Sequence, residues 1–270
     1  MTAGFPDHDT VQVNRWKDGQ YHPSSDCVAE EVPVALVYNG ISHAVMLATP
    51  ANLEAFGLGF SLTEGIILQA SELREVEVVP ACEGIELQMV IPPQRFAELK
   101  EKRRSMAGRT GCGLCGAESL EHVIRHPKPV EVALKVSTNL LHKALSQLTG
   151  RQPLQNLTGA VHAAAWVMED GSITHVAEDV GRHNALDKLI GLLAMDKVEV
   201  QSGFVIVTSR ASYEMVQKAA SFGIGFLAAI SAPTALAIRL AKETGLTLVG
   251  FTHDDSHVVY ANETRLVQEK

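Results

Sequence analysis

From about residue 140 onward the sequence passes through apolar segments of helix and strand length, joined by connections of only a few residues. Helical spacing covers 140–148, 182–195 and 213–222, and uninterrupted apolar runs of strand length cover 204–208 and 226–230. Residues 163–168 and 173–177 read as a hairpin across Asp170-Gly171. Residues 233–244 read as a helix opened by Ser231 and Pro233 and stopped at Gly245, with a last strand at 246–251. Strands without alternation are those buried on both faces, as in a sheet with helices above and below. The order α-β-β-α-β-α-β-α-β therefore predicts a layered α/β sheet.

Before the prolines at 127 and 129 the rhythm differs. The first 25 residues, rich in Asp, His, Gly and Pro, read as loosely ordered apart from a strand at 11–16. Two β-branched runs at 32–38 and 41–48 flank Asn39-Gly40, a strong hairpin signal. Helical spacing follows at 52–67, then a second hairpin at 75–79 and 85–91 turning near Glu83-Gly84, then a helix at 93–106. The expected organisation is an α+β domain over 1–130 and the layered α/β domain over 131–270.

The element order of the second half is also that of the cytidine-deaminase-like fold. A zinc deaminase needs H-x-E and P-C-x-x-C at the starts of its second and third helices. The matching stretches here are Gly181-Arg182-His183-Asn184 and Ser209-Arg210-Ala211-Ser212, and no cysteine follows Cys115. The expectation is that fold without its zinc ligands, and no bound metal.

Composition narrows the class. A chain of 270 residues with 46% hydrophobic and 20% charged residues has ample material for packed cores. A net charge of −8 with no basic stripe argues against nucleic-acid binding. Residues 219–238 carry no charge over nearly a membrane-spanning length, but Gly223, Gly225, Ser231 and Pro233 divide them into a buried strand and a buried helix. No basic region followed by an apolar run occurs in residues 1–9, and four cysteines, two of them isolated, make no disulfide framework. The expected compartment is the cytoplasm, away from any membrane.

Chemistry concentrates in Arg109-Thr110-Gly111-Cys112-Gly113-Leu114-Cys115-Gly116. Three glycines argue for a loop that moves or approaches something closely. The C-x-x-C spacing suits a dithiol/disulfide couple, half a zinc site or a reactive thiolate. Cys27 and Cys82 supply no second pair, although eleven histidines leave a mixed zinc site open. A redox couple would want the pair just after a strand, and a helix precedes it instead. Lys100, Lys102, Arg103, Arg104 and Arg109 lie just upstream, and positive charge lowers a thiol's pKa, so the surroundings favour a thiolate at Cys112 or Cys115.

Four polar clusters fall near element ends of the second half: Thr158-Gly159 with His162, Glu178-Asp179 with Arg182-His183, Ser209-Arg210 with Ser212, and His253-Asp254-Asp255-Ser256. Loops beyond the carboxyl ends of parallel strands are the usual ligand site of an open α/β sheet, and helix N-termini there favour anions. Ser209-Arg210 is the strongest phosphate candidate, while Asp179 and Ser212 suit helix capping equally well.

These blocks, with Gly59-Phe60-Ser61-Leu62-Thr63-Glu64-Gly65, His162-Ala163-Ala164-Ala165-Trp166, residues 178–188 and residues 208–220, resemble the FdhD family of formate dehydrogenase accessory proteins, or sulfur carrier proteins. The resemblance implies a sulfurtransferase that takes persulfide sulfur from a cysteine desulfurase onto Cys112, assisted by Cys115. It implies delivery to the molybdenum (or tungsten) bis-guanine-dinucleotide cofactor of formate dehydrogenase, a substrate rather than a resident group. It further implies a cytoplasmic homodimer whose second domain binds the cofactor's nucleotide part, with the stretch Phe251, Thr252, His253, Asp254, Asp255 and Ser256 at the pocket; their places at element ends add His162, Asp179, Arg182, His183, Ser209 and Arg210 as contacts. Many members carry a basic residue in that last stretch; here it holds two acids and no Arg or Lys. The rival readings are a non-catalytic chaperone for cofactor or apo-enzyme, with structural cysteines, and a zinc-stabilised hydrolase.

Overall fold

The computed structural model of the chain describes residues 5–107, 125–253 and 255–268. Its first element is a hairpin of two ten-residue strands, β1 (His8–Lys17) and β2 (Gln20–Ala29), turning at Asp18-Gly19. The sequence shows only the middle of β1; the region expected to be loosely ordered is a ribbon paired over its full length. Neither face of the ribbon is fully buried, so apolar alternation is confined to half-buried Val11 and Val13; Trp16 and Tyr21 stack edge-on at its tip with 62% and 69% of their surface exposed.

A four-stranded sheet follows, with the order β4 (Ile41–Ala48), β3 (Val32–Tyr38), β6 (Gly84–Val90), β5 (Glu75–Ala81) and a parallel pairing of β3 with β6. Asn39 and Gly40 both have positive φ, 46° and 80°, as the tight turn between β3 and β4 requires. The Asn39 amide also bonds the main chain of Ile91 in both directions, at 2.9 and 3.1 Å. Helix α1 (Leu53–Thr63) lays Leu53, Phe56 and Phe60 against Val34, Leu36, Leu87 and Met89 of this sheet. Helix α2 (Pro93–Ala107) adds Leu99 to the same core.

The second half forms a six-stranded sheet in the order β13 (Val258–Ala261), β12 (Thr247–Gly250), β11 (Phe226–Ala229), β10 (Gly203–Val207), β8 (His162–Met168), β9 (Ile173–Asp179). Strands β10, β11 and β12 are parallel, and β8 runs antiparallel to β10. Helices α5 (Arg182–Met195), α6 (Tyr213–Ser221) and α7 (Ala235–Thr244) cover one face, through Leu186, Ile190, Met215, Val216 and Leu240. Helix α3 (Thr138–Leu148) covers the other, setting Leu141, Leu145 and Leu148 against Phe204 and Phe226.

This is the expected α/β layering. The structure adds a short helix α4 (Pro153–Thr158), the antiparallel edge strand β13, and a two-residue pairing of β7 (Val136–Ser137) with β14 (Leu266–Val267). It also moves the start of α7: Thr234, not Ser231, is the cap, its hydroxyl accepting from Ala237 N at 3.3 Å. Among the described residues no helix is long and apolar enough to cross a membrane.

The two sheets meet where α1 packs on α5, backbone against backbone. A methyl at Gly59 would stand 1.7 Å from the Asp187 carbonyl oxygen, and one at Gly191 would stand 1.8 Å from that of Ala55. Two buried polar networks flank the contact. In the first, Lys188 Nζ lies 2.6 Å from Asp179 Oδ2 and donates to Thr49 O at 2.7 Å. Asp179 also accepts from Thr49 N, Gly181 N and the Asn184 amide.

In the second network Lys218 Nζ lies 2.8 Å from Asp187 Oδ2 and 2.9 Å from Glu64 Oε1, and Thr63 Oγ1 donates to Asp187 Oδ1 at 2.7 Å. Burial opposes the charge on Lys218, but Asp187 and Glu64 outweigh it and raise its pKa. Burial likewise works against ionised Glu64, yet Lys218 and Arg125 hold its carboxyl below the usual range. The specific-looking sequences at 59–65 and 178–188 are therefore largely the material of this seam.

Candidate functional site

The topology carries several chain segments to one edge of the six-stranded sheet. Ile230 N donates to Val207 O, and Thr252 N to Ala229 O, just past the carboxyl ends of β10 and β11. Strand β8 begins at this edge, since Thr208 N donates to Ala163 O and Ala163 N to Thr208 Oγ1. Register then places His162 opposite Asp179 at the end of β9. The edge thus gathers His162, the start of α5 with Arg182 and His183, the 209–212 connection into α6, and Thr252.

These residues do not all face outward. Asp179 is fully buried and every contact described above is to the protein itself, so its carboxylate is spent on holding the seam rather than offered to a ligand. Asp179 is not a helix cap either: its Oδ1 accepts at 2.7 Å from the N–H of Gly181, itself the residue before α5, and from no N–H of the helix's first turn. Ser209 is also buried, its hydroxyl donating to Arg210 O at 3.0 Å. Arg210 is exposed and makes no ion pair among the described residues. Arg182 is half-buried, and its Nε is shielded from solvent without a hydrogen-bond partner among the described residues.

Helices α5 and α6 both begin without a side-chain cap, whereas α3 and α7 are capped by Ser137 and Thr234. Uncapped N–H groups at two helix starts beside Arg182 and Arg210 make this edge receptive to an anion. Burial first, and then the positive charge of Arg182, lower the pKa of His162, against the pull of Asp179. It presents a neutral imidazole near neutral pH. His183 Nε2 lies 2.7 Å from Glu214 Oε2 and 3.3 Å from Ser212 Oγ, joining the starts of the two helices. Its hydrogen bond, against burial, holds Glu214 below the usual carboxylate range. Glu214 was not visible as a site residue in the sequence, because only the fold brings it to His183.

Beside the edge lies a cavity of about 190 Å³ between α3 and the 252–253 backbone, lined by Leu145, Leu148, Gln152, Ile230, Thr252 and His253 among others. Thr252 is fully buried and its hydroxyl has no hydrogen-bond partner among the described residues. Phe251 is exposed with a left-handed φ of 49°, which turns the chain into the cavity wall. His253 N donates to Ser256 O at 2.8 Å, closing a tight turn with exposed Asp255 and Ser256. Asp254, Cys112, Cys115 and Arg109 lie outside the described residues. A larger cavity of about 800 Å³, between the ends of α1, α5 and α6 and residues 125–132, is lined by none of these candidates.

The sequence matches known proteins along almost the whole chain. The model of the FdhD/NarQ family matches residues 29–267. The chain belongs to the FdhD/NarQ family. The sulfur carrier protein FdhD of Cupriavidus necator is 58% identical over 264 residues, covering 98% of this chain and 92% of that protein. That of Xanthomonas euvesicatoria is 53% identical over 254 residues, covering 94% and 90%. A crystal structure described as that of a candidate formate dehydrogenase accessory protein from Desulfotalea psychrophila superposes with a TM-score of 0.75. It covers 97% of this chain and 100% of that one at 24% identity, a likeness of fold.

Proposed function

We propose that this FdhD/NarQ family member is a sulfurtransferase. It receives sulfane sulfur on Cys112 and delivers it to the molybdenum (or tungsten) bis-guanine-dinucleotide cofactor of formate dehydrogenase. The observation that carries this reading is identity above 50% across nearly the whole chain to proteins named sulfur carriers, in a sequence that holds the Cys112/Cys115 pair inside a basic, glycine-rich stretch. On this reading the donor is a cysteine desulfurase and the destination an apo-formate dehydrogenase, and the chain works as a cytoplasmic homodimer.

The loading step is an exchange: the Cys112 thiolate attacks the terminal sulfur of the donor persulfide, and the donor cysteine leaves as thiolate. For release as sulfide, the Cys115 thiolate attacks the Cys112 sulfur, expels HS⁻ and leaves a Cys112–Cys115 disulfide that a cellular dithiol reduces. Direct hand-over to Cys115 is the alternative use of the second thiol. Intact-mass analysis after incubation with a cysteine desulfurase and cysteine is expected to show one added sulfur atom, mapped to Cys112 and lost in Cys112→Ser. Sulfur mapped to Cys27 or Cys82, or a Cys112→Ser protein that still matures formate dehydrogenase as a chaperone would, removes the reading.

The nucleotide part of the substrate suits the sheet edge. Arg182 and Arg210 with the two uncapped helix starts offer phosphate contacts, and the Thr252 cavity offers a buried hydroxyl and the Gln152 amide to a base. A hydrogen bond to a charged group contributes about 1.5–3 kcal/mol, so Arg210→Ala is expected to weaken GDP binding about tenfold or more. Thr252→Val loses a hydroxyl that has no partner in the free protein, so stability is expected to hold while GDP binding weakens by about 1 kcal/mol. Asp254→Ala, which removes an acid, is expected to weaken it far less than Arg210→Ala. Calorimetry with GDP decides: parental affinity in both Arg210→Ala and Thr252→Val places the nucleotide elsewhere.

A further inference from the structure

His183, in the first turn of α5, is tied to the start of α6 through one nitrogen: its Nε2 lies 2.7 Å from Glu214 Oε2 and 3.3 Å from Ser212 Oγ. Both contacts fall on the same nitrogen, so this is no relay of the Ser-His-acid kind, which sets acid and hydroxyl on opposite ring nitrogens. Ser212 precedes α6 and is of a residue type that caps helices well, yet its hydroxyl makes no capping bond and meets His183 instead. Glu214, in the first turn of α6, sets a carboxylate where two uncapped helix starts come together. A carboxylate there meets the same positive helix ends that would receive a phosphate. The Glu214 side chain is 59% exposed and that of His183 only 23%, so the imidazole is the fixed partner and the carboxylate the movable one. Two polar groups beside this contact have no hydrogen-bond partner among the described residues: Arg182 Nε, and the hydroxyl of fully buried Thr252 in the wall of the adjoining cavity. Asp179, by contrast, is fully buried and bound by Lys188, so it cannot yield its place.

We infer that Glu214 is a specificity-determining residue of the nucleotide edge: its carboxylate holds the His183 N–H in the free protein and yields it to a ligand phosphate. The inference rests on the nucleotide reading above. An imidazole N–H donates to a phosphate oxygen as it does to a carboxylate oxygen, so binding exchanges one anion for another at a fixed donor. The displaced side chain passes into solvent. The exchange therefore costs about what a largely exposed ion pair is worth, up to about fivefold in affinity, and the carboxylate left nearby adds some repulsion. The effect on ligand choice follows from charge. A multiply charged diphosphate draws on Arg182, Arg210 and both helix starts together and outbids a single carboxylate. A ligand with one negative charge offers little more than Glu214 already supplies. A nucleoside without phosphate brings no anion and meets no competition.

Calorimetry with GDP and with guanosine tests this on the parent, Glu214→Gln, His183→Ala and the double variant. Glu214→Gln is expected to bind GDP about three- to tenfold more tightly than the parent, and guanosine no more tightly. In the His183→Ala background the same substitution is expected to gain less than about twofold, because no N–H remains to be released. Asp196→Asn is the matched control. Its carboxylate lies 2.9 Å from His175 Nε2 and is 64% exposed, at the opposite end of α5, so the variant removes the same charge from the same kind of pair away from the edge. It is expected to keep the parental GDP affinity. A Glu214→Gln protein that binds GDP at parental affinity or more weakly overturns the competing role while the nucleotide reading stands. A gain that survives in full without His183, extends equally to guanosine, or is matched by Asp196→Asn overturns it too, since Glu214 then acts as a distant charge. If neither the parent nor Glu214→Gln binds GDP, both readings fall.

Discussion

Lys188→Ala is expected to lower the unfolding free energy by about 3–5 kcal/mol, the usual cost of leaving one member of a buried ion pair without its partner. Both Lys188 and Asp179 have fully buried side chains, 2.6 Å apart, so the variant leaves the Asp179 carboxylate without its countercharge. The same ammonium donates to Thr49 O, so the change also orphans a buried carbonyl. A domain is stabilised by only about 5–15 kcal/mol in total, so much of this variant should be unfolded or insoluble at physiological temperature. Arg15→Ala provides the contrast: its pair with Asp26 at 3.3 Å is about half exposed on both sides and should cost well under 1 kcal/mol. Urea denaturation at matched slope reads both. A Lys188→Ala protein within about 1 kcal/mol of the parent would show that the seam holds without its ion pair. The consequence reaches the site, because this network fixes Gly181 and Asn184 and so aims the start of α5, with Arg182, at the sheet edge.

What the sequence conveyed follows from burial. Strands β10 and β11 lie under helices on both faces, so Phe204-Val205-Ile206-Val207 and Phe226-Leu227-Ala228-Ala229 read as unbroken apolar runs and were legible. Strands β1 and β2 bury neither face and carried almost no signal. The site divides in the same way. Strand order alone brings His162, Arg182, His183, Arg210 and Thr252 to one edge, so sequence reasoning found that edge. It could not tell which polar residues point outward. Asp179 and Ser209 lie within three residues of Arg182 and Arg210 in the chain, yet both turn inward to bond the protein. Partnerships such as Lys218 with Glu64, or Glu214 with His183, join residues far apart in the chain, and no local spacing announces them.

Gly59→Ala and Gly57→Ala, two residues apart in the same helix, are expected to differ sharply: the first strongly destabilising, the second not. Alanine is favoured over glycine inside a helix by about 1 kcal/mol, a gain both variants share. At Gly57 the new methyl meets the Met89 sulfur at 2.9 Å, the flexible part of a side chain that can turn aside. Gly57→Ala should therefore be close to neutral or mildly stabilising. At Gly59 the methyl would stand 1.7 Å from the Asp187 carbonyl oxygen and 2.9 Å from Gly191 N, main-chain atoms of α5 that cannot turn aside. The helices must separate, which stretches the Thr63–Asp187 bond and the Lys218 contacts alongside. The cost should reach or exceed the upper end of the range of about 1–3 kcal/mol for overpacking, well above the propensity gain. Gly191→Ala drives the same separation from the opposite side, against Ala55 O at 1.8 Å. Once one methyl has parted the helices the other meets less resistance, so the double variant should lose less than the sum of the singles by about 1 kcal/mol or more. Thermal and urea unfolding of the parent and the four variants measure this directly. A Gly59→Ala protein as stable as Gly57→Ala, or strict additivity with Gly191→Ala, would mean that α1 and α5 do not meet backbone to backbone.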